Sequence, residues 1–151
     1  MFLVTNREEM NWLDWHYLDF LLISGDAYVD HPSFGAAIGG RWLEHLGYRV
    51  GIIAQPDWHD PASVAIMGKP RLAVLIGAGN MDSMINHYTA MKKPRRQDAY
   101  SPGGKTGFRP DNATIVYTKL VREAFGKSIP IIIGGVEASL RRFAHYDFWQ
   151  D

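Results

Sequence analysis

The chain of 151 residues contains no cysteine. Without thiols it forms no disulfide and no thiolate zinc site, and it supplies neither a cysteine nucleophile nor ligands for an iron–sulfur cluster. An excess of either charge is also missing, because 16 basic residues balance 16 acidic ones. A neutral chain exerts no general attraction on nucleic acid or on an anionic membrane. Its overall charge therefore predicts neither of these partners.

Long hydrophobic runs are missing as well. The longest, at 72–79 and 129–136, have eight residues, whereas a membrane-spanning helix needs roughly 20. The first eight residues have neither the basic flank nor the apolar length of a signal peptide. We therefore expect a cytoplasmic protein with a single domain over residues 1–151.

Four short apolar runs predict a parallel sheet. They span residues 19–24, 49–54, 71–76 and 129–133 and are rich in Ile, Leu and Val. None alternates with polar residues, which is typical of strands that are covered on both faces. With helical segments between them, they predict an α/β fold with a doubly wound, mainly parallel, three-layer sheet of four or five strands. The expected order is flavodoxin-like, 2-1-3-4 with any fifth strand beyond, so the run at 129–133 is an unprotected edge if no fifth strand is present.

Helical spacing predicts the segments between the strands. A capping box formed by Thr5 and Glu8 indicates where the first helix begins. Further helices are predicted over about 32–46, 81–91 and 111–125, and from about residue 136 onward. The residues expected to face the core are Met10 and Leu13 in the first helix, Phe34, Ala37, Ile38, Trp42 and Leu46 in the second, Met81, Met84, Ile85 and Tyr88 in the third, and Ile115, Leu120 and Val121 in the fourth.

The segment 92–110 is predicted to be a flexible loop. It contains three prolines, three glycines and six basic residues, and a connection of this length is either a functional lid or disordered. Its basic residues could contact phosphates, but such runs are more often solvated, so we do not expect a nucleic-acid partner. The triplet Gly104-Lys105-Thr106 is not a phosphate-binding P-loop, because the first glycine and the preceding strand are missing.

A ligand site is expected beyond the carboxyl ends of the strands. In a doubly wound sheet, ligands bind where the winding reverses, which for this order lies between the first and third strands. The loops at 25–33 and 77–81 arrive there, and the fourth strand adds 134–137. The candidate ligand-binding residues are Gly25, Asp26, Asp30, His31, Ser33, Gly77, Gly79, Asn80, Gly134, Gly135 and Glu137.

These candidates have a functional and a structural interpretation. Glycines let a ligand approach the backbone, and Ser33 and Asn80 are placed to cap helices whose free amides bind an anion. Asp26, Asp30 and His31 add titratable groups. The two aspartates could equally stabilise a turn or a helix start, and His31 could be purely structural. The sequence identifies no catalytic residue and no metal ligand.

Two further motifs depart from known signatures. Gly77-Ala78-Gly79 begins a dinucleotide fingerprint, but Asp82 occupies the position of the third glycine, which argues against NAD. Residues 57–62 are similar to the Asp-x-His-x-x-Gly signature of cobalamin-binding domains. They end in Ala62, however, and follow the second strand rather than the first.

Longer runs resemble one family from end to end. They are SGDAYVDHPSFG at 24–35, GIIAQPDW at 51–58, SPGGKTG at 101–107 and IGGVEASLRRFAHYD at 133–147. The chain resembles the N-terminal part of the YgiQ-type radical-SAM family. Members of that family are several times longer.

The resemblance implies a flavodoxin-like domain, similar to cobalamin-binding domains, that precedes a radical-SAM barrel. In the family, that barrel carries a CxxxCxxC motif with a [4Fe-4S] cluster and S-adenosylmethionine. This chain offers no cysteine to which a cluster ligand could be assigned, so no cofactor is expected in it. The resemblance implies an accessory domain, not catalytic alone, whose partner is the barrel domain. The alternative is a stand-alone module that binds a small molecule: a phosphate, a nucleotide or a cobalamin-like ligand.

Overall fold

The computed structural model describes residues 2–29 and 34–143. The predictions for Asp30, His31 and Ser33 therefore lie outside the described residues. The elements, in chain order, are α1 (Arg7–Trp12), β1 (Phe20–Ser24), α2 (Gly35–His45), β2 (Val50–Ala54), β3 (Ala73–Gly77), α3 (Ser83–His87), α4 (Ala113–Phe125), β4 (Ile131–Gly134) and α5 (Gly135–Phe143).

The strands form one parallel sheet in the order β2-β1-β3-β4. Phe20 lies beside Val50 on one side and Ala73 on the other, and Val74 pairs with Ile131. The predicted fold class is confirmed: a four-stranded, all-parallel α/β sheet with helices around it. All four apolar runs became strands, because short continuous stretches of Ile, Leu and Val suit a sheet that is covered by helices.

One face of the sheet carries the larger core. Alternate residues of the strands, such as Leu21, Ile23 and Val74, are buried there because side chains in a strand alternate between faces. They pack against α1, α4 and a short 3₁₀ helix at Pro61–Val64. The buried residues of these elements are Met10, Val64, Tyr117, Leu120 and Val121.

The opposite face is only partly covered. Leu22 and Ile52 are buried beneath Leu3 and α2. Beyond them, Leu75 of β3 is only half-buried, and Ile132 of β4 is 54% exposed. Within the described residues, the β3–β4 half of this face thus remains open.

Helix α2 packs on the sheet by a different side from the one predicted. Phe34, Ile38, Trp42 and Leu46 were expected to face the core, but all four are exposed. The helix turns Ala36, Gly40 and Leu43 to the sheet instead, and Gly40 is its buried position. A side chain on Gly40 would place its Cβ 2.3 Å from Leu3 Cδ1. The absence of a Cβ therefore allows the helix to lie close to the sheet.

Three other helix predictions need correction. The N-cap of α1 is Asn6 and not Thr5; the Asn6 side chain accepts the Glu9 N–H, and the Glu9 carboxylate accepts the Thr5 N–H at 2.6 Å. Helix α3 has five residues instead of the predicted eleven, because the backbone becomes extended at Tyr88. Ile85, which was expected to face the core, is exposed.

The third correction concerns α4, whose bounds agree with the prediction. Ile115, expected in the core, is 66% exposed, while Leu120 and Val121 are buried as predicted. Among the described residues, no helix is both long enough and apolar enough to cross a membrane.

Candidate functional site

The loops after β1 and β3 meet at the carboxyl edge of the sheet, as predicted for the point where the winding reverses. Asp26 follows β1 and is fully buried. Its carboxylate accepts a hydrogen bond from the main-chain N–H of Asn80 at 2.6 Å. Asp26 therefore ties the two loops together.

Two glycines allow these loops to come so close. A Cβ on Gly25 would lie 2.0 Å from the carbonyl oxygen of Ala78. Gly79 has φ +113°, and a Cβ there would lie 2.1 Å from the Asp26 carboxylate. Both distances are well inside van der Waals contact, so larger residues would force the loops apart.

A buried arginine completes the junction between the loops after β1 and β3. Arg109 reaches in from the segment before α4, and its Nη2 lies 2.6 Å from Asp26 Oδ1. Its Nη1 donates to the Ala78 carbonyl at 2.9 Å. The same guanidinium lies 3.4 Å from Asp98 Oδ2. The Arg109 guanidinium thus binds two buried carboxylates and the Ala78 carbonyl of the β3 loop.

Asp98 is held ionised by its neighbours. Burial by itself would raise its pKa, but the Tyr100 N–H, the Arg109 charge and the Ser101 hydroxyl outweigh burial, so the pKa is lowered. The Tyr100 N–H and the Ser101 hydroxyl each donate to the carboxylate at 2.9 Å. Asp98 is therefore a structural anion.

The segment 92–110, predicted to be flexible, carries these anchors. The Ala27 N–H donates to the Tyr100 carbonyl at 2.9 Å. Gln55, just after β2, donates to the Ser101 hydroxyl at 2.6 Å and to the Gly25 carbonyl at 3.0 Å. These contacts join the segment to the ends of β1 and β2. Its flexibility, like the single-domain assignment, stays a prediction.

Glu137 closes the same edge from α5. Its two carboxylate oxygens accept the main-chain N–H groups of Ser83 at 2.8 Å and Thr114 at 2.9 Å. These groups belong to the first turns of α3 and α4, where free amides and the helix dipoles favour a negative charge. Burial would raise the pKa of Glu137, but the hydrogen bonds from Ser83 and Thr114 lower it. The protein itself thus supplies the anion that caps both helices.

An open cavity of about 370 Å³ lies beside this junction, between α2 and the strands β1, β3 and β4. Its floor consists of Leu22, Leu75 and Ile132, and α2 contributes Gly35 and Gly39. Backbone of the rim loops completes it, with Asn80 as the polar side chain of the β3 loop. The cavity can therefore accept an apolar group more readily than a charged one.

The predicted site residues divide into two groups. Asp26 and Glu137 are buried and bind main-chain groups of the protein itself. Asn80 was expected to cap a helix, but Asp82 caps α3 instead, through hydrogen bonds from Met84 and Ile85. The predicted residues that line the cavity are Gly77, Gly79, Asn80, Gly134 and Gly135. Whether any of these residues binds a ligand stays a prediction.

Arg109, Asp98 and Gln55 belong to this edge although no sequence pattern marks them as such. Arg109 belongs to a basic run that is predicted to lie in a loop, and nothing in the sequence distinguishes a buried arginine from a solvated one. Asp98 followed by Ser101 is a common turn pattern. That spacing gives no hint of a partner eleven residues further on.

Fold and junction together define a doubly wound α/β domain whose carboxyl edge is braced by its own buried charges. The family model described as "Radical SAM N-terminal" matches residues 2–151. The chain therefore belongs to this family, and it corresponds to the N-terminal domain of the longer UPF0313 proteins.

The relatives carry the same name in distant bacteria. A UPF0313 protein of Clostridium botulinum (strain 657 / Type Ba4) is 57% identical over 150 residues, which cover 99% of this chain and 23% of the relative. A UPF0313 protein of Thermotoga petrophila is 56% identical over 151 residues, covering all of this chain and 26% of the relative. The chain thus spans about a quarter of the length of these curated relatives. No solved structure is found to match it.

The family implies a [4Fe-4S] cluster and S-adenosylmethionine, but the residues of this chain do not fit the cluster. Such clusters are held mainly by cysteine thiolates, and the chain has no cysteine. Across residues 2–29 and 34–143, no three His, Asp or Glu side chains are grouped so as to hold a metal ion. No cluster chemistry is therefore assigned to these residues.

We expect Asp26→Asn to destabilise the fold by about 3–5 kcal/mol, because it removes one partner of a buried charge pair and leaves Arg109 under-compensated. Urea unfolding followed by circular dichroism measures the change. The matched control is Asp14→Asn, since Asp14 and its partner His16 are both exposed. That variant should stay within about 0.5 kcal/mol of the parent chain. A cost for Asp26→Asn below about 1 kcal/mol would contradict the role assigned to the pair.

Glu137 should make stability depend on acid pH. Because its folded pKa lies below its ordinary value of 4.5, its contribution is present above that value and is lost as the pH falls through the folded pKa. Glu137→Gln removes this titration. The stability difference between parent and variant should be largest near pH 7 and shrink below about pH 4.

The measurement is urea unfolding as a function of pH. Glu123→Gln, in the exposed pair with Lys119 on α4, is the control and should show little pH-dependent difference. A Glu137→Gln difference that stays constant, or grows, towards acid pH would show that the carboxylate is not held ionised.

Proposed function

We propose that this chain is an accessory domain of a radical-SAM protein, without catalytic activity of its own, which packs against the remainder of that protein. The open half of the sheet carries the proposal: one face of β3 and β4 is left partly exposed, and α2, which borders the cavity on that face, carries further exposed apolar residues. Ile132 on β4 and Trp42 on α2 are 54% and 64% exposed. Contiguous apolar surface of this kind on a soluble domain marks an interaction site.

The carboxyl edge of the sheet is suited to form a rigid wall of a cavity. Its buried charges, Asp26, Arg109, Asp98 and Glu137, are all engaged with one another or with main-chain groups. The cavity beside this edge is lined largely by backbone and apolar side chains. We propose that this wall borders the cavity in which the rest of the protein performs its chemistry, with a steric and polar role.

The remainder of the protein would hold the cluster and S-adenosylmethionine. This assignment rests on family membership and on the absence of thiolates from the chain. The barrel domain is accordingly the proposed partner.

Reconstitution with iron and sulfide tests the assignment. The folded 151-residue chain should develop no stoichiometric absorbance band near about 400 nm, because it has no thiolate to ligate a cluster. The full-length protein, treated in parallel, is the positive control and should develop the band. A stoichiometric cluster on the 151-residue chain alone would overturn the proposal.

A second candidate function is small-molecule binding, and the cavity favours it. Its volume of about 370 Å³ falls in the range of roughly 300–1,000 Å³ that is typical of ligand pockets. It also lies where doubly wound sheets bind ligands. Because the walls are apolar, the part of a nucleotide or cobalamin-like ligand that enters would be a flat, uncharged ring.

Titration calorimetry with nucleotides, flavins and cobalamins tests this candidate. Binding should be lost in Gly39→Leu, because Gly39 lines the cavity and the added side chain would fill it. Ile115→Leu, on the exposed side of α4, should leave the affinity unchanged. A folded chain that binds none of these compounds leaves this function without support.

A further inference from the structure

We propose that the open edge of β4 and the groove beside α2 are completed by one strand and one helix from the chain that follows this domain in the full-length protein. The strand would add in parallel to β4, and the helix would lie in the groove. This inference rests on the proposed function and names the segment that makes the contact.

The free edge of β4 can accept another strand. The Val74 N–H donates to the Pro130 carbonyl at 3.0 Å, so Pro130 and, by alternation, Ile132 direct their main-chain groups toward β3. Ile131 and Ile133 consequently direct theirs outward. In the part of the chain that the structure describes, no strand pairs with this edge. An unpaired run of isoleucines is an exposed edge that proteins usually cover.

The groove beside α2 can accept a helix. Its floor is formed by Leu75 and Ile132, and its wall by the side of α2 that carries Gly35 and Gly39. Trp42 follows Gly35 by seven residues, or two helical turns, so it lies on the same side of α2. It is 64% exposed. Glycines let a neighbouring backbone approach, and a tryptophan beside them offers a large apolar area to bury.

The winding of the sheet decides which segment fits. Glu137 contacts the first turns of α3 and α4, so α5 begins beside them at the carboxyl edge, and we infer that it continues along the α4 side of the sheet. A right-handed crossover from β4 along that side brings the chain back to the free edge of β4. The next helix then finds the α4 side filled and the α2 side open.

The length of the relatives supplies the necessary chain. This domain covers 23% and 26% of the two relatives described above, and it matches the N-terminal family. A strand and a helix with their connections need only about 30 residues. The same polypeptide brings this segment to the groove without the entropic cost of assembling two molecules.

Hydrogen exchange of the full-length protein tests the strand. The Ile131 and Ile133 amides should exchange within about tenfold of the rate of Ile132, since all three would be in a ladder. Exchange of Ile131 and Ile133 about a hundredfold or more faster than Ile132 would show that the edge stays open and overturn the inference. Protection that appears only at high protein concentration would indicate a second copy and would overturn it too.

Substitution in the full-length protein tests the helix. Ile132→Asp should lower the Tm of this domain by several degrees, because the groove would be buried. The matched control, Ile115→Asp on the exposed side of α4, should lower it by about one degree or less. Equal, small effects of the two variants would contradict burial of the groove, as would recovery of a bound small molecule from it.

The two proposals can fail separately. If the edge and the groove prove open while the 151-residue chain still takes up no cluster, the accessory function stands and this docking arrangement is wrong. If the chain takes up a cluster by itself, the accessory function fails whatever the exchange rates are.

Discussion

A buried ion pair between Asp26 and Arg109 is the interaction on which the carboxyl edge depends. Taking both charges out of water costs several kcal/mol for each ion. That cost is offset only because Asp26 also accepts the Asn80 N–H and Arg109 also binds Asp98 and the Ala78 carbonyl. The loops after β1 and β3 and the segment before α4 are therefore held in one arrangement. Gly25 and Gly79 are required there, because any side chain would enter the space of Ala78 or Asp26.

These internal charge pairs also limit which ligands the carboxyl edge can bind. In many doubly wound proteins, free helix N-termini at this edge receive an anionic ligand. Here Glu137 already occupies the first turns of α3 and α4. The described residues therefore leave a mainly apolar cavity beside an edge whose buried charges already have partners. Such a cavity suits packing against another part of a protein, or an uncharged ring, better than binding a phosphate.

Helix α2 turns a different side to the sheet from the one that its apolar pattern predicts. Its apolar residues recur at helical spacing, and this pattern identifies a helix correctly. Which side of α2 faces the sheet depends on the neighbouring residues. The Leu3 side chain fills the space that a Cβ at position 40 would need, so only a glycine fits there. The apolar stripe that ordinarily marks a core face points outward here. Periodicity detects that an apolar stripe exists, but not what will cover it.

The amino-acid sequence alone predicts the strands, their parallel order and the meeting of the β1 and β3 loops, because continuous apolar runs separated by helices permit few arrangements. It also indicated the family, through runs that extend along the whole chain. The burial of Arg109 between Asp26 and Asp98, the capping of two helices by Glu137 and the open half of one sheet face become visible only in the tertiary fold. These features join residues far apart in the chain, and whether a charge is solvated or paired depends on which groups the fold brings beside it.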